Sequence, residues 1–455
     1  MLGPFARLAI LSCAVVLAAC ATAPPALEQL YPAYAASDDR VPVILIPGIL
    51  GSRLARADTG EERWPGSTRK LLTSGYLDLT LRIDPKTLEP LDDGLVPSGL
   101  FDAAAGQDFY RRIVRELREG GGYRLSEAGQ PVVQERARLY VFTYDWRQDA
   151  VATVRKLDEL IEQIRRDYAD PLLRVDVIAH SMGGLIVRYY ERYGTMDVLE
   201  GNAFPITGVG LSKLRRMVLL GTPNQGTVTA VHKFLHGYRV GISRLPTEGV
   251  ATMPGMFQLF PHPRVDWVVN INGQPLEFDL FDVELWRRYE WSIFDRRIQR
   301  RVSRHPEIWP EQSVFERWVE KRLERARRFV WSLMVPAGEV PLISPLLLGG
   351  DCVPTPRRLV MENIGGEALT HLWPEQILRP IPGVDYESLM FEAGDGVVTK
   401  SSLLARQELD PEVPRHEQES LETEEDAFIC SAHDELTSND DFLGKMIRYL
   451  LDKES

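Results

Sequence analysis

A serine between an apolar run and a helical pattern is the strongest chemical signal in the sequence. Ser181 lies in Ala179-His180-Ser181-Met182-Gly183-Gly184. A strand, a tight turn and a helix, with small residues two positions before and after the serine, form a nucleophile elbow that exposes the serine Oγ. Ala179 stands where glycine is usual and adds one methyl group. We therefore predict that Ser181 is a nucleophile and that His180 packs within the elbow.

A nucleophilic serine needs a histidine base and an acid that orients the base. On elbow-type folds these groups follow the order serine, acid, histidine. We favour Asp395 as the acid, because flanking glycines allow a sharp loop that presents one carboxylate. Asp351 is a rival, since it directly follows a late strand. Two histidines come after Asp395. His416 lies in an acidic stretch, 408–426, that is predicted to be an exposed loop, and His433 lies just before the final helix, so we predict His433 as the base.

Attack on an ester carbonyl also requires two backbone N–H groups that stabilise the developing oxyanion. One is predicted to be the N–H of Met182, the residue after the nucleophile. The other is predicted in the glycine-containing loop after the first strand, where Ile49 or Leu50 is the donor. These three residues form the candidate oxyanion hole.

The elements that position these residues alternate along the chain. Strands are predicted at 41–47, 139–143, 175–179, 214–220 and 343–348, and helices at 107–119, 150–168, 182–193 and 441–451. This alternation is typical of βαβ units, and therefore of a mostly parallel sheet flanked by helices. Together with the elbow, it predicts an α/β-hydrolase fold over residues 41–455. The alternation stops between about 225 and 340, which predicts an inserted helical cap.

One part of the predicted cap, residues 285–334, is basic and rich in tryptophan. It holds thirteen Lys or Arg against seven Asp or Glu, and five of the nine Trp. Basic amphipathic helices with Trp suit an anionic bilayer interface. A packed apolar stripe beneath a solvated basic face would give the same pattern. Because caps of this fold insert over the active site, we predict that the segment forms a lid or a lipid-facing surface.

The first forty residues predict export and a lipid anchor. Arg7 precedes the apolar run 8–19, which is too short to span a bilayer but suits a signal peptide. The run ends Leu17-Ala18-Ala19-Cys20 and resembles a bacterial lipobox. We predict a lipoprotein signal peptide at 1–19, lipidation of Cys20 and a tether at 20–40. The protein would then be exported and anchored in the cell envelope, at the outer membrane if the cell is Gram-negative.

Composition and net charge exclude some classes of function, while two states remain open for Cys352 and Cys430. A chain of 455 residues with 44% hydrophobic and 26% charged residues is globular, and its formal charge of -12 disfavours a nucleic-acid partner. In an oxidising compartment Cys352 and Cys430 could form a disulfide, or they could remain two buried thiols. No cluster of His, Cys and Asp has metal-ligand spacing, so we predict no metal and no cofactor.

Six motifs occur together in an order that resembles the lecithin–cholesterol acyltransferase family. They are the segments 42–52, Tyr144-Asp145-Trp146-Arg147, the Ser181 elbow, Gly221-Thr222-Pro223-Asn224-Gln225-Gly226, Val353-Pro354-Thr355-Pro356 and the Asp395 loop. The resemblance runs from about Val41 to His433. It implies an α/β-hydrolase with a cap, here as a bacterial lipoprotein-type member, with Ser181 as nucleophile, Asp395 as acid, His433 as base and an oxyanion donor within 48–50.

The resemblance also implies a serine lipase, phospholipase or O-acyltransferase that acts on acyl lipids at a membrane surface. The expected substrate is a glycerophospholipid or another acyl ester. Two other functions fit parts of the sequence. One is a lipoprotein that binds lipid or an envelope partner on a hydrolase scaffold without turnover, which a missing triad member would favour. The other is a serine peptidase, against which the lipid-family motifs argue.

Overall fold

The computed structural model describes residues 40–104, 107–240, 243–406, 421 and 423–452. The predicted signal peptide at 1–19, Cys20 and all but the last residue of the tether at 20–40 lie outside the described residues. So does most of the acidic stretch 408–426, including His416. The end of that stretch is described, and there the expected loop is replaced by a strand that begins at Glu425.

Strands and helices are numbered here in chain order over the described residues. The strands are β1 (Val43–Ile46), β2 (Ser52–Arg56), β3 (Glu62–Trp64), β4 (Leu95–Leu100), β5 (Ala103–Ala104), β6 (Gln107–Asp108), β7 (Arg124–Leu125), β8 (Arg138–Val141), β9 (Val175–His180), β10 (Leu214–Leu220), β11 (Tyr238–Val240), β12 (Ser243–Leu245), β13 (Val268–Asn270), β14 (Leu346–Gly350), β15 (Val353–Pro356), β16 (Leu359–Ile364), β17 (Glu367–His371), β18 (Phe391–Gly394) and β19 (Glu425–Ile429). The α-helices are α1 (Thr68–Thr73), α2 (Arg111–Glu119), α3 (Ala150–Asp167), α4 (Met182–Tyr193), α5 (Val228–His236), α6 (Thr247–Val250), α7 (Pro254–Phe257), α8 (Val283–Arg288), α9 (Arg296–Ser303), α10 (Gln312–Ser332), α11 (Tyr386–Met390), α12 (Lys400–Leu403) and α13 (Asp440–Leu451).

A seven-stranded sheet lies at the centre, in the order β19-β14-β10-β9-β1-β8-β7. Each pairing of neighbouring strands in it is parallel. The central strands are apolar and buried because helices cover both faces of the sheet. On β1, Ile44 and Ile46 face one core with α3 and α4, and Val43 and Leu45 face a second core with α2 and α13. The predicted alternation and the parallel sheet are confirmed.

The structure differs from the predicted elements at two places before the elbow. The helix predicted at 107–119 begins only at Arg111, because Gln107–Asp108 pairs with Ala103–Ala104 as a two-stranded ribbon. Residues 52–100, which gave no clear pattern, contain an antiparallel sheet of β3, β2 and β4. Its strands are three to six residues long and mix polar and apolar residues, so neither a helical nor a strict two-residue period stands out in the sequence.

The segment predicted as a helical cap at 225–340 is not entirely helical. It contains α5 to α10, but also the β11–β12 hairpin and β13. Strand β13 pairs with β16 beyond residue 340, so the segment shares a small sheet with the residues that follow it. Within the described residues, no helix is both long and apolar enough to cross a membrane.

Four of the five tryptophans of 285–334 are buried, and the fifth, Trp331, is half-buried against His262 and Arg264. Trp286, Trp291, Trp309 and Trp318 are buried, and Trp318 donates its Nε1–H to the carbonyl oxygen of Ala251. The apolar stripe of α10 therefore packs against the body of the protein, which was the alternative interpretation of the same pattern. The prediction that this stretch presents Trp to lipid was wrong for the four buried residues, because helical periodicity alone does not tell which partner covers an apolar face.

Candidate active site

The predicted site residues meet at the carboxyl edge of the central sheet. Ser181 directly follows β9, and the loop that contains Ile49 and Leu50 follows β1. Asp395 follows β18, and His433 lies shortly after β19. In open α/β sheets this edge is where ligands bind, since the loops after parallel strands converge there.

The turn at Ser181 has the geometry of a nucleophile elbow. Ser181 has φ 52° and ψ −123°, and helix α4 begins at the next residue. The turn is tight enough that a Cβ on Gly183 would lie 2.8 Å from the carbonyl oxygens of Ile46 and Pro47. A Cβ on Gly48 would lie 2.8 Å from the Cβ of Ser181. The elbow and the β1 loop are therefore pressed together, and only glycine fits at these two contacts.

Three of the predicted residues form one hydrogen-bonded chain. Nδ1 of His433 donates to Oδ2 of Asp395 at 2.8 Å. This leaves Nε2 of His433 as the acceptor for the hydroxyl of Ser181, whose Oγ lies 3.0 Å away. The backbone N–H of His433 also donates to the carbonyl oxygen of Asp395, at 2.9 Å. An imidazole held in this way can take a proton from the serine hydroxyl.

Asp395 is 2% exposed, and its carboxylate is fully engaged. Oδ1 accepts the backbone N–H groups of Val397 and Val398, at 3.0 and 2.7 Å. Burial works to raise the pKa of Asp395, but the charge and hydrogen bond of His433, with the two backbone donors, outweigh burial and hold the pKa below its ordinary value. Asp395 therefore stays ionised and can stabilise a protonated His433.

The rival acid, Asp351, lies apart from this chain of hydrogen bonds. Its carboxylate faces Lys400, with Nζ 3.7 Å from Oδ2, and the Asp351 side chain is 35% exposed. The structure thus brings Asp395, and not Asp351, to the imidazole of His433.

The β1 loop is fixed by side chains from several elements. Tyr144 donates its hydroxyl to the carbonyl oxygen of Pro47 at 3.0 Å, and Trp146 donates Nε1–H to Ser52 O at 3.2 Å. Trp64 donates Nε1–H to Leu50 O at 2.8 Å. These hydrogen bonds fix the positions of three carbonyl groups of the loop.

The same loop limits which backbone donors remain for an oxyanion. The N–H of Gly48 is taken, because it donates to the hydroxyl oxygen of Tyr110 at 2.8 Å. Ile49 and Leu50 both line the cavity beside Ser181, and Leu50 has φ 63°. Met182 opens helix α4, where backbone N–H groups lack helical partners. The role of Ile49, Leu50 and Met182 as oxyanion donors therefore stays a prediction.

His180 links the β1 loop to the base. The hydroxyl of Tyr110 accepts from Gly48, so its one proton goes to Nδ1 of His180, at 2.7 Å. Nε2–H of His180 then donates to the carbonyl oxygen of His433, at 3.2 Å. Burial, followed by the nearby His433, lowers the pKa of His180 to about 3, so this ring stays neutral. His180 packs in the elbow as predicted, and it also contacts the loop of the base.

Two of the six motifs hold the loop of the acid. Thr355 Oγ1 accepts the backbone N–H of Gly396 at 2.8 Å. Thr227, directly after the Gly221–Gly226 motif, donates its hydroxyl to the carbonyl oxygen of Val397. These contacts give the motifs a positioning role around Asp395.

The site opens into a cavity of about 500 Å³ with a mainly apolar wall. Residues from many elements line it, among them Ile49, Leu50, Trp64, Phe101, Phe109, Met256, Leu259, Val353 and Val398. The segment predicted as a cap contributes eight residues to this wall, which are Thr227, Thr229, Ala230, Lys233, Tyr238, Arg239, Met256 and Leu259. No residue of 285–334 lines this cavity, and the role of that stretch as a lid stays a prediction. Among the described residues, no three His, Cys, Asp or Glu side chains are grouped to hold a metal ion.

Cys352 and Cys430 form a disulfide that joins the ends of β14 and β19. The bond lies three residues before His433 and directly after Asp351. It ties together two loops of the candidate site that are 78 residues apart in sequence.

Tyr110 and Trp64 are site residues that the sequence analysis missed. Tyr110 falls inside the predicted helix at 107–119, where an aromatic residue at helical spacing looks like core. Trp64 lies in a short strand without a clear period. The sequence signals only the loop that Tyr110 and Trp64 contact, through its Pro47-Gly48 turn. That turn does not indicate which side chains bind the loop.

The chain is similar to known proteins in sequence and in fold. The model of the family described as lecithin:cholesterol acyltransferase matches residues 131–320. A chain in the crystal structure of the Tle4–Tli4 complex superposes with a TM-score of 0.56 at 14% identity, over 91% of this chain and 98% of that chain. At this identity the similarity shows the fold alone, and it confirms the α/β-hydrolase fold. No curated protein matches the chain.

A second solved structure is the phospholipase PlaB from Legionella pneumophila in complex with thio-NAD. It is 14% identical over 48% of this chain and 34% of its own, with a TM-score of 0.19, which is too low to support an argument.

The family match covers the segment that carries the nucleophile. Residues 131–320 include the Tyr144–Arg147 motif, the Ser181 elbow and the Gly221–Gly226 motif, while Asp395 and His433 lie beyond it. The match supports a lipid acyl-ester hydrolase or acyltransferase as the general class of activity. The resemblance predicted from the motifs is confirmed over residues 131–320, and the chain has an α/β-hydrolase fold.

Proposed function

We propose that the chain is a serine-dependent lipid acyl-ester hydrolase or O-acyltransferase that works through an acyl-enzyme. One observation carries the proposal: the hydrogen-bonded chain from Asp395 through His433 to Ser181 lies beside an apolar cavity. A nucleophile, an oriented base and a buried acid are the parts that acyl transfer requires. The apolar wall suits an acyl chain.

In the first half of the reaction, Ser181 Oγ attacks the ester carbonyl carbon while its proton moves to Nε2 of His433. The carbonyl oxygen becomes an oxyanion that accepts hydrogen bonds from the N–H of Met182 and from the N–H of Ile49 or Leu50. The tetrahedral intermediate then collapses. The bond to the alcohol oxygen breaks, and the alcohol leaves with the proton from His433, so the acyl group remains on Ser181.

In the second half, a water molecule or a second alcohol attacks the acyl-enzyme. His433 takes a proton from the attacking oxygen and returns it to Ser181 Oγ as the acyl group departs. Water gives a fatty acid, and an alcohol gives a new ester. Asp395 keeps Nδ1–H of His433 in place throughout and offsets the charge on the imidazolium.

A covalent probe separates turnover from lipid binding without turnover. Ser181→Ala should remove essentially all hydrolysis of a short acyl ester and all labelling by a fluorophosphonate. Ser438→Ala is the control, because Ser438 donates only within its own turn, to Glu435 O, and should leave both unchanged. Undiminished labelling of Ser181→Ala would disprove the nucleophile. A wild type that binds lipid vesicles but neither hydrolyses esters nor reacts with the probe would favour the binding lipoprotein.

We also propose that the enzyme acts at a membrane, on glycerophospholipids or related acyl esters, while exported and anchored through Cys20. An arginine face supports the membrane surface: on α9, Arg297 and Arg300 are exposed and have no carboxylate partner within the described residues. Each basic residue near an anionic bilayer contributes about 1 kcal/mol. Arg301 differs, since it pairs with buried Glu248.

Charge reversal tests this surface. Arg297→Glu with Arg300→Glu should lower turnover of anionic vesicles by about tenfold or more, because about 1 kcal/mol is lost per basic residue. Hydrolysis of a soluble short-chain ester should not change. Equal loss on both substrates would mean a folding defect, and unchanged turnover of the vesicles would rule out this face as the membrane contact.

A further inference from the structure

The cavity beside Ser181 is lined by cationic side chains as well as by its mainly apolar wall. Two cations reach it from the same segment: Lys233 on α5 and Arg239 on β11. Neither pairs with a carboxylate in the part of the chain that the structure describes. Elsewhere in 225–340, buried or half-buried cations are neutralised, as Arg325 is by Asp149 and Asp197.

The carboxylates on the cavity wall do not neutralise these cations. Asp395 is committed to His433 and to two backbone N–H groups. Asp434 also lines the cavity, and it has a partner of its own. Lys233 is half-buried and Arg239 is exposed. Two cations without carboxylate partners beside an apolar surface suit an anionic ligand, and Lys233 gains the more from a negative partner because it is partly desolvated.

Tyr238 holds Lys233 at this position. The Lys233 ammonium lies 4.4 Å from the centre of the Tyr238 ring and 3.4 Å from its hydroxyl oxygen. An aromatic face orients a cation without cancelling its charge. Helix α5 also directs Thr229, Ala230 and Lys233 to the same cavity, so the ammonium lies on the helix face that borders the nucleophile.

The size of the cavity limits the acyl part of the ligand. A water-sized group takes roughly 30 Å³ in a liquid, so about 500 Å³ has room for on the order of 16 such groups. That is enough for one long acyl chain. A substrate that fits both features carries an acyl chain in the apolar part and an anionic group near the cations.

We propose that Lys233 and Arg239 bind an anionic group on the alcohol part of the substrate, and that the site selects acyl esters with a net negative charge. This inference rests on the proposed function, because it assigns the alcohol side of the same acyl ester. A negative charge on the alcohol part would then raise kcat/KM. Removing either cation should lower kcat/KM for the anionic ester by about tenfold, the order of a hydrogen bond to a charged group.

The test compares palmitoyl-lysophosphatidylglycerol, which is anionic, with monopalmitoylglycerol, which has the same chain and no charge. Wild type should turn over the anionic ester at least tenfold more efficiently, and this preference should fall with salt. Lys233→Gln and Arg239→Gln should each reduce the preference about tenfold. Lys233→Arg should keep the preference. Lys156→Gln on α3, where Lys156 is exposed and pairs with Glu159, is the matched control and should behave as wild type.

Fluorophosphonate labelling separates this inference from the proposed function. All the variants should label at the wild-type rate, because the triad is untouched. A wild type that labels but shows no anionic preference, or variants that lose both substrates equally, would overturn the anion site and leave the serine mechanism standing. Hydrolysis that survives in Ser181→Ala would instead overturn the proposed function.

Discussion

Replacing Tyr110 by Phe tests whether the hydrogen bonds behind the nucleophile set the geometry of the site. The substitution removes one oxygen atom and keeps the ring. The hydroxyl group that is lost accepts a hydrogen bond from Gly48 N–H at 2.8 Å and donates one to Nδ1 of His180 at 2.7 Å. Gly48 belongs to the predicted oxyanion loop, and His180 contacts the backbone of His433. The variant therefore disconnects the oxyanion loop from the loop of the base.

The loss of stability in Tyr110→Phe follows from the two groups that lose their hydrogen-bond partner, Gly48 N–H and Nδ1 of His180. A buried donor or acceptor without a partner costs about 1–3 kcal/mol. Tyr110 and His180 are both buried, so Tyr110→Phe should destabilise the protein by about 2–6 kcal/mol if no water enters. The rate should fall as well, because misplacing a reacting group by about 1 Å costs on the order of 100-fold. We expect a fall of 10- to 100-fold in kcat with KM nearly unchanged.

The assay is the second-order rate of fluorophosphonate labelling, measured beside thermal unfolding. The labelling rate reports the reactivity of Ser181 without requiring knowledge of the lipid. Tyr140→Phe is the matched control, because it removes the same oxygen from a buried tyrosine that does not line the cavity beside Ser181. If Tyr110→Phe labels and melts like Tyr140→Phe, then the bonds from Tyr110 do not position the site and the reasoning is wrong.

Three further predictions concern the acid, the disulfide and the anchor. Asp395→Asn should lose at least 1000-fold more activity than Asp351→Asn, because only Asp395 orients the imidazole and a wrong tautomer costs on the order of 10⁴ in kcat; the reverse ranking in an esterase assay would move the acid to Asp351. Replacing Cys352 and Cys430 together by Ala should lower the free energy of unfolding by about 2–4 kcal/mol, since the bond closes a long loop; urea titration that gives the wild-type midpoint would contradict this. Cys20→Ser should abolish metabolic labelling with a fatty-acid analogue that tags the wild type, and an untagged, soluble wild type would show that there is no anchor.

The acid also gives a pH dependence with a defined sign. The pKa of Asp395 in the folded protein lies below its ordinary value of 3.8, so ionised Asp395 stabilises the fold above that pH. This contribution is lost as the pH falls from 3.8 through the lowered pKa. In Asp395→Asn, the free energy of unfolding should therefore fall less steeply as the pH drops below 3.8. An unchanged slope in acid titrations followed by circular dichroism would mean that Asp395 contributes nothing to it.

The central layers of the fold were predictable because their patterns are local. The limits of helix α4 and strand β10 agree with the prediction at 182–193 and 214–220, since β10 is a short apolar run, and Gly194 ends α4. The elbow was predictable for the same reason: a strand, a serine and a helix follow each other directly. The pairing of His433 with Asp395 was predictable only from the chain order of serine, acid and histidine. That order left Asp351 as an alternative acid.

Contacts between distant segments could not be predicted. Tyr110 and Gly48 are 62 residues apart, and nothing in either segment indicates the other. The same limit explains the error at residues 285–334: Trp318 has the spacing of an interfacial residue, but its partner, Ala251 O, lies 67 residues earlier. Amphipathic spacing fixes which side of a helix is apolar, while burial depends on which element covers it.

Within the described residues, the strand that leads to the predicted base His433 lies at an edge of the central sheet, which favours local unfolding there. β19 is an edge strand of the central sheet, paired within it only with β14, while the strand before Ser181 lies in the interior between β10 and β1. Edge strands open at a lower free energy than the centre of a sheet. Mild denaturant should therefore detach His433 from Ser181 while the helices and the interior strands persist. Enzyme activity would vanish at a lower denaturant concentration than tryptophan burial, and the Cys352–Cys430 bond would narrow that gap.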